Sequence, residues 1–334
     1  MPLCRPACPP DTCEPARAAM QPAYSIIVFT VASGAGFGLL AWLALLGLLG
    51  VVPAERTLAY AGFGPSWALI TVGLVASMRH LGRPERAWRA LSQWRTSWLS
   101  REGVLALASF PASGALAVGW VLTQGLAGGV ALAAIATVAC AVATLGATGM
   151  IYASLPTIRQ WHQPLTMPIY VVLGLASGAV LLHLLLALRG AAVPAVSLLC
   201  ILLPLLGAGL KWAYWLRIDG EPRTLRAGAA TGLGRDGKLS MLEAPHTEPN
   251  FVMREMGFAV ARRHAAVLRK MVLTLAFAVP PIALLAAHTA GPLAVQCAAL
   301  LAVLATGAGL LLERWLFFAE AEHVAMLYYG RDAA

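Results

Sequence analysis

The sequence predicts an all-α polytopic membrane protein, a bundle of eight transmembrane helices. Three observations carry that prediction. Of the 334 residues, 59% are hydrophobic and only 12% charged, against about 25% charged in a soluble domain. The mean hydropathy is +0.74. The apolar residues gather in long runs without the alternation that a lipid-facing barrel strand needs, so helices are the only spanning structure that fits.

Ahead of the first run, residues 1–20 (MPLCRPACPPDTCEPARAAM) are proline-rich and lack both apolar periodicity and the core of a signal peptide. They read as a flexible extension whose Cys4, Cys8 and Cys13 match no metal or iron-sulfur spacing. A helix needs about 20 apolar residues to cross the hydrocarbon layer. Eight segments within residues 21–334 reach that length, approximately 24–50, 58–78, 103–123, 128–152, 167–188, 193–216, 271–290 and 292–318. Small residues recur in them as SGAGFG (33–38), GATG (146–149) and GLASG (174–178). Such residues let helix backbones approach closely, the favoured reading of Ser33, Gly34 and Gly36, with room for a flat ring as the alternative. Cys140, Cys200 and Cys297 lie singly in separate spans and imply no disulfide framework. A long link at about 217–270 separates spans six and seven. Its RAGAATGLGRDG portion reads as loop, and EPNFVMREMGFAVARRHAAVLRKM as a helix leading into span seven.

Basic residues orient the bundle. The links after spans two, four and six hold seventeen Lys and Arg, whereas the other links hold only Arg56 and Arg189. The first set therefore faces the cytoplasm, and an even span count puts both termini there. This accounts for the formal charge of +9 without nucleic acid: the basic stretch adjoins hydrocarbon on both sides and belongs to no recognition fold. Arg86, Arg89, Trp94 and Arg95, with Arg159 and His162 from the link after span four, form a basic and aromatic cap suited to docking a soluble partner. Anchoring to anionic lipid is the plainer alternative.

The densest part of that cap is RHLGRPERAWRALSQWRTSWLSREG (79–103), with six arginines, three tryptophans and one histidine. The chain has no phosphate loop, no GxGxxG, HExxH or GxSxG motif, and no cysteine set able to hold a cluster. Its chemistry must come from ionisable groups at the membrane border. His80 ends span two and Glu102 opens span three, at one depth. A histidine beside a carboxylate suits proton exchange with a lipid-dissolved carrier such as a quinone, which takes up two protons with two electrons. Arg79, Arg83, Arg86 and Arg101 could keep Glu102 ionised or stabilise charge developing on a quinone oxygen. For His80 alone, a helix C-cap is the structural alternative. Tyr152, at the end of span four, could donate to a quinone carbonyl or serve as an interfacial anchor.

Two other classes compete. His183 and His288 lie at comparable depth toward the opposite face and could ligate a haem b, with Arg189 near a propionate; either could instead bond a neighbouring helix. A transporter would show broken helices and charges near the midplane, whereas the charges here gather at one edge.

SIIVFTVASGAGFGLL (25–40), RHLGRPERAWRALSQWRTSWLSRE (79–102) and GMIYASLPTIRQWHQPLTMPIY (149–170) resemble the membrane anchors of dimethyl sulfoxide reductase, the DmsC family, over nearly all of residues 21–318. The most specific piece is HLGxPxRA followed by SxE, in which His80 and Glu102 match the family's quinol-site histidine and glutamate. The link with TGLGRDGKLSMLEAPHTEPNFVMREMGF looks more like the SoeC-type anchors of cytoplasmic sulfite dehydrogenases. The resemblance implies an anchor in the bacterial inner membrane that holds a molybdopterin catalytic subunit and a four-cluster iron-sulfur subunit. It would exchange electrons with ubiquinone or menaquinone and carry no haem or other metal of its own. It does not encode the direction, but the long sixth link favours sulfite oxidation, with sulfoxide reduction by menaquinol as the alternative.

Overall fold

The computed structural model describes residues 24–79, 83–191, 193–221 and 264–322, with Val324 and Leu327. The N-terminal extension, most of the long link and His80 lie outside the described residues. Eight helices among those described are long and apolar enough to span a membrane: α1 (Tyr24–Leu48), α2 (Arg56–Met78), α3 (Trp98–Thr123), α4 (Gly129–Ala153), α5 (Thr166–Leu188), α6 (Pro194–Gly220), α7 (Ala265–Ala287) and α8 (Pro292–Ala319). The expected spans are all present. Three bounds differ by about a turn or more: α3 begins at Trp98, α6 runs on to Gly220, and α7 already exists at Ala265, consistent with its amphipathic lead-in. Each extension adds residues that carry charge on one side and apolar surface on the other, which a helix at the membrane border can divide between water and lipid.

α1 is the most enclosed helix and packs against α2, α4, α5 and α8. Its small residues explain why. A side chain at Gly38 would overlap the Gly174 carbonyl of α5, and one at Gly36 would come within 2.8 Å of the Ser66 carbonyl of α2. The backbones therefore meet where leucine would hold them apart. Trp42 secures the same α1–α5 seam by donating its indole N–H to the Leu175 carbonyl at 2.8 Å.

α7 is not uniform. Residues Leu273–Ala278 form a π-helical turn, in which the Val279 N–H reaches the Thr274 carbonyl. Pro280 and Pro281 follow, neither with an N–H to continue the ordinary ladder. The wider turn pushes backbone toward α8, where Gly309 receives it: a Cβ there would lie 2.5 Å from the Ala276 nitrogen.

The interior has two regions. One is aliphatic, built on Phe37 to Leu46 of α1 with Phe63, Trp120 and Leu182. The second, nearer the end carrying the arginine-rich link, is aromatic and holds Tyr152, Tyr170, Tyr214, Trp215 and Phe317. At the opposite end the two lone basic residues are used internally. Arg189 pairs with Glu55, and Arg56 donates to the Val121 carbonyl at 2.9 Å. The propionate role considered for Arg189 is thereby replaced by an ion pair that ties the α1–α2 link to α5.

Candidate functional site

At the basic end, the chain leaves α2 after Arg79, forms an exposed 3-10 helix over Pro84–Gln93, and re-enters as α3. Glu102 lies one turn into α3. That turn carries it inward, and it is only 4% exposed. Thr148 of α4 donates its hydroxyl to Glu102 Oε1. A carboxylate drawn out of water at a cost of several kcal/mol is thus held by a neighbouring helix.

Thr148 also lines a cavity of about 20 Å³ between α1, α4, α5 and α8, shared with Thr30, Ser33, Gly34, Tyr170 and Arg314. That volume suits one water-sized group. The Thr30 and Ser33 hydroxyls are turned away onto their own helix, Ser33 to the Phe29 carbonyl at 2.6 Å. Arg314 of α8 lines the same cavity.

Arg314 belongs to a buried charged cluster. Lys211 of α6 and Glu313 and Arg314 of α8 are 2%, 0% and 3% exposed. The Lys211 ammonium lies 2.7 Å from Glu313 Oε1, and Arg314 Nε donates to Glu313 Oε2. Two cations thus flank one carboxylate. The helical repeat explains the surroundings, since residues three and four apart share a face. Lys211 lies over the rings of Tyr214 and Trp215, at 4.4 and 4.8 Å, and Arg314 over Tyr170 at 3.8 Å. Arg314 Nη1 and Nη2 and the Tyr170 hydroxyl are buried without a well-aligned hydrogen-bond partner.

Tyr152 is packed in the aromatic region rather than presented to the membrane surface. It stacks on Tyr170 with centroids 5.4 Å apart and meets Trp161 edge-on at 5.2 Å. Trp161 in turn donates to the Phe317 carbonyl at 3.0 Å. These rings pack beside the cavity, with Tyr170 shared between the two.

The remaining expected residues divide. Arg101, expected to face Glu102, instead donates to the Trp94 and Arg95 carbonyls at 3.0 and 2.7 Å and stacks on Trp98. It fastens the arginine-rich link to α3, since a guanidinium fork satisfies two adjacent carbonyls that end a helical turn. Arg83, Arg86, Arg89, Trp94 and Arg95 are exposed on the link, with Arg89 over Trp88 and Arg95 over Trp94. Arg159, expected at the partner surface, is drawn inward: it donates to the Ile218 carbonyl at 3.0 Å and pairs with Glu221 and Glu322. His162 stays exposed, its Nδ1 2.7 Å from the Ala153 carbonyl. A second ion-pair group, Arg269 with Asp219 and Glu320, joins α7 to the ends of α6 and α8. Burial pushes the Glu320 carboxyl above the usual carboxylate range, with Arg269 and Lys211 working against that.

His183 approaches Ser197 of α6 at 3.5 Å, and His288 caps α7 in an exposed position.

Sequence reasoning missed Lys211, Glu313, Arg314, Tyr170 and Thr148. For the three charged residues the signal was present: an ionisable side chain inside an apolar span is by default functional.

Fold and site define a class of protein, a multi-pass membrane protein whose buried polar groups lie at one end beneath an exposed basic link. Residues 19–329 match the family model described as DMSO reductase anchor subunit (DmsC), and the chain belongs to that family. It is 34% identical to the C subunit of the sulfite dehydrogenase of Allochromatium vinosum, over 93% of this chain and 99% of that protein. It is 30% identical to the C component of the anaerobic dimethyl sulfoxide reductase of Escherichia coli, over 53% of this chain and 64% of the other. The likeness read from the sequence thus extends along almost the whole chain, and with it the role of a membrane anchor.

Proposed function

We propose that this anchor passes electrons between an iron-sulfur subunit and the quinone pool of a bacterial inner membrane, in a complex whose molybdopterin subunit oxidises sulfite. The observation that carries the reading is the placement of Glu102: a buried carboxylate, hydrogen-bonded to Thr148, one helical turn inside the arginine-rich link. Length and identity favour sulfite, because the match to the sulfite dehydrogenase protein runs end to end while that to the dimethyl sulfoxide reductase protein extends over about half of this chain.

The residues fit a quinone. Orphaned donors of Arg314 and Tyr170 line a cavity, aromatic rings lie beside it, and a carboxyl stands one hydroxyl away. Such a set suits a flat, neutral ring with an oxygen at either end. A quinone supplies two-electron, two-proton redox chemistry when bound. The chain supplies the surroundings: Glu102 holds or releases a proton at its carboxyl, Thr148 orients that carboxyl, and the Tyr152–Tyr170–Trp161 stack keeps bulk water out. His80, next along from Arg79 at the end of α2, is the proposed proton contact with cytoplasmic water. Glu102 sits at the basic end, so protons and electrons would enter from one side and turnover would separate little charge across the membrane. Arg83, Arg86, Arg89, Trp94 and Arg95 form the docking surface for the iron-sulfur subunit, which shortens the electron path to the ring.

Replacing Glu102 by Gln, or His80 by Ala, is expected to lower quinone-linked turnover about 100-fold or more while leaving activity with soluble dyes intact. Equal loss of both activities would mean damaged assembly and would remove the support for a proton role. Assaying the purified complex with sulfite and with dimethyl sulfoxide decides the direction: turnover of dimethyl sulfoxide alone would replace sulfite oxidation with menaquinol-driven reduction.

A further inference from the structure

We infer that Arg314 is the group that receives one oxygen of the carrier, in the cavity between α1, α4, α5 and α8, and that Lys211 and Glu313 hold it there. The inference rests on the quinone reading and adds to it a ligand contact on α8 and its support on α6.

A guanidinium in a membrane-spanning helix is stable only when its donors and charge are met. Arg314 meets this condition in part. Glu313 takes its Nε–H, and the Tyr170 ring lies 3.8 Å beneath it, but the four N–H bonds of Nη1 and Nη2 have no well-aligned acceptor. Neither does Glu313 neutralise it outright, because Lys211 shares that carboxylate at 2.7 Å. Two basic side chains thus share one carboxylate. The Tyr170 hydroxyl beside it engages the guanidinium only at poor alignment, Thr30 and Ser33 are committed to their own backbone carbonyls and Thr148 to Glu102, so the cavity Arg314 lines is where a further acceptor would fit.

The cavity selects the guest by size. About 20 Å³ admits one oxygen atom and not a whole ring. Leu173 and Leu310, which also line it, are apolar side chains, and Val31 beside them is only half-buried. Leu173 and Leu310 are buried, so a ring would approach from the Val31 side while its oxygen enters the cavity that Arg314 and Thr148 line. That pose sets a cation at the oxygen and the Glu102 carboxyl one hydroxyl away. Electron density arriving on the oxygen would be stabilised by a preorganised donor, and a proton source would stand nearby. Gln in place of Arg keeps some donors but no charge. Lys keeps the charge but loses the planar fork.

The test measures binding, apart from turnover. A fluorescent quinol analogue quenched on binding is titrated into membranes carrying the full complex, for wild type, Arg314→Gln, Arg314→Lys and Gly34→Ala. An alanine Cβ at position 34 would lie 3.9 Å from Gly174 Cα, an ordinary contact, so it trims the cavity without forcing α1 from α5. Wild type is expected to bind; both Arg314 variants should weaken binding by about tenfold or more, the scale of one charge-assisted hydrogen bond, and Gly34→Ala by several-fold. If Arg314→Gln does not accumulate in membranes, Arg314→Lys and Gly34→Ala decide. Wild-type affinity in those two would overturn the inference, leaving the cavity to a structural water and the quinone reading intact. No binding by wild type would overturn the quinone reading itself, and the inference with it.

Discussion

Glu102 and Glu313 are both buried carboxylates in spans, and their surroundings give them different work. Glu313 lies between two cations, so its charge is fully used in holding the cluster. Glu102 has the Thr148 hydroxyl and no cation paired with it among the described residues, which suits the proton exchange proposed for it. Replacing Glu313 by Gln strands Lys211 and Arg314 against each other, and should cost about 3–5 kcal/mol; denaturant titration of the detergent-solubilised complex reads this directly. Thr148→Val removes one hydrogen bond from Glu102 and fills the same space. It should lower quinone-linked turnover about tenfold with stability nearly kept, corresponding to about 1.4 kcal/mol. The approach of Lys211 to Glu313 was not legible in the chain. The two residues are far apart in sequence, and each appears as a lone charge inside an apolar run.

At the scale of elements, the small-residue strips proved to have two uses in one helix. Gly36 and Gly38 are filled by neighbouring backbone, whereas Ser33 and Gly34 border the cavity. Both possibilities were open from SGAGFG, because a missing side chain permits close packing or a void and says nothing of which neighbour arrives. Gly38→Ala should lower stability by at least about 1–3 kcal/mol, as overpacking does. Gly64→Ala and Gly146→Ala, with nothing within 4 Å of the added carbon, should leave the thermal midpoint unchanged or slightly raised, which a melting series on the same complex checks. The arginine-rich link was singled out correctly as a distinct element, but its internal fastening was not foreseen. Arg101 lies on the inner end of that link, close in sequence to the carbonyls of Trp94 and Arg95, and closing the turn satisfied them first.

For the molecule as a whole, the asymmetry of the two ends governs what it can hold. One end spends Arg56 and Arg189 on its own links; the opposite end leaves a row of arginines exposed. Reversing Arg83 and Arg86 to Glu should therefore move the soluble subunits, followed by dye-linked activity, from the membrane to the soluble fraction. Retention at wild-type levels would transfer the docking role elsewhere on that face. Hydrophobic run length and charge placement, both local properties, determined the eight spans, their lengths to within a turn or so, and the end at which Glu102 had to lie. Only the tertiary structure decided which side chains meet across the bundle. The face a helix turns to its neighbours depends on packing of small residues on several helices at once, and a strongly apolar sequence leaves that rotation unmarked. Arg314, Lys211 and Thr148 were brought together through that rotation.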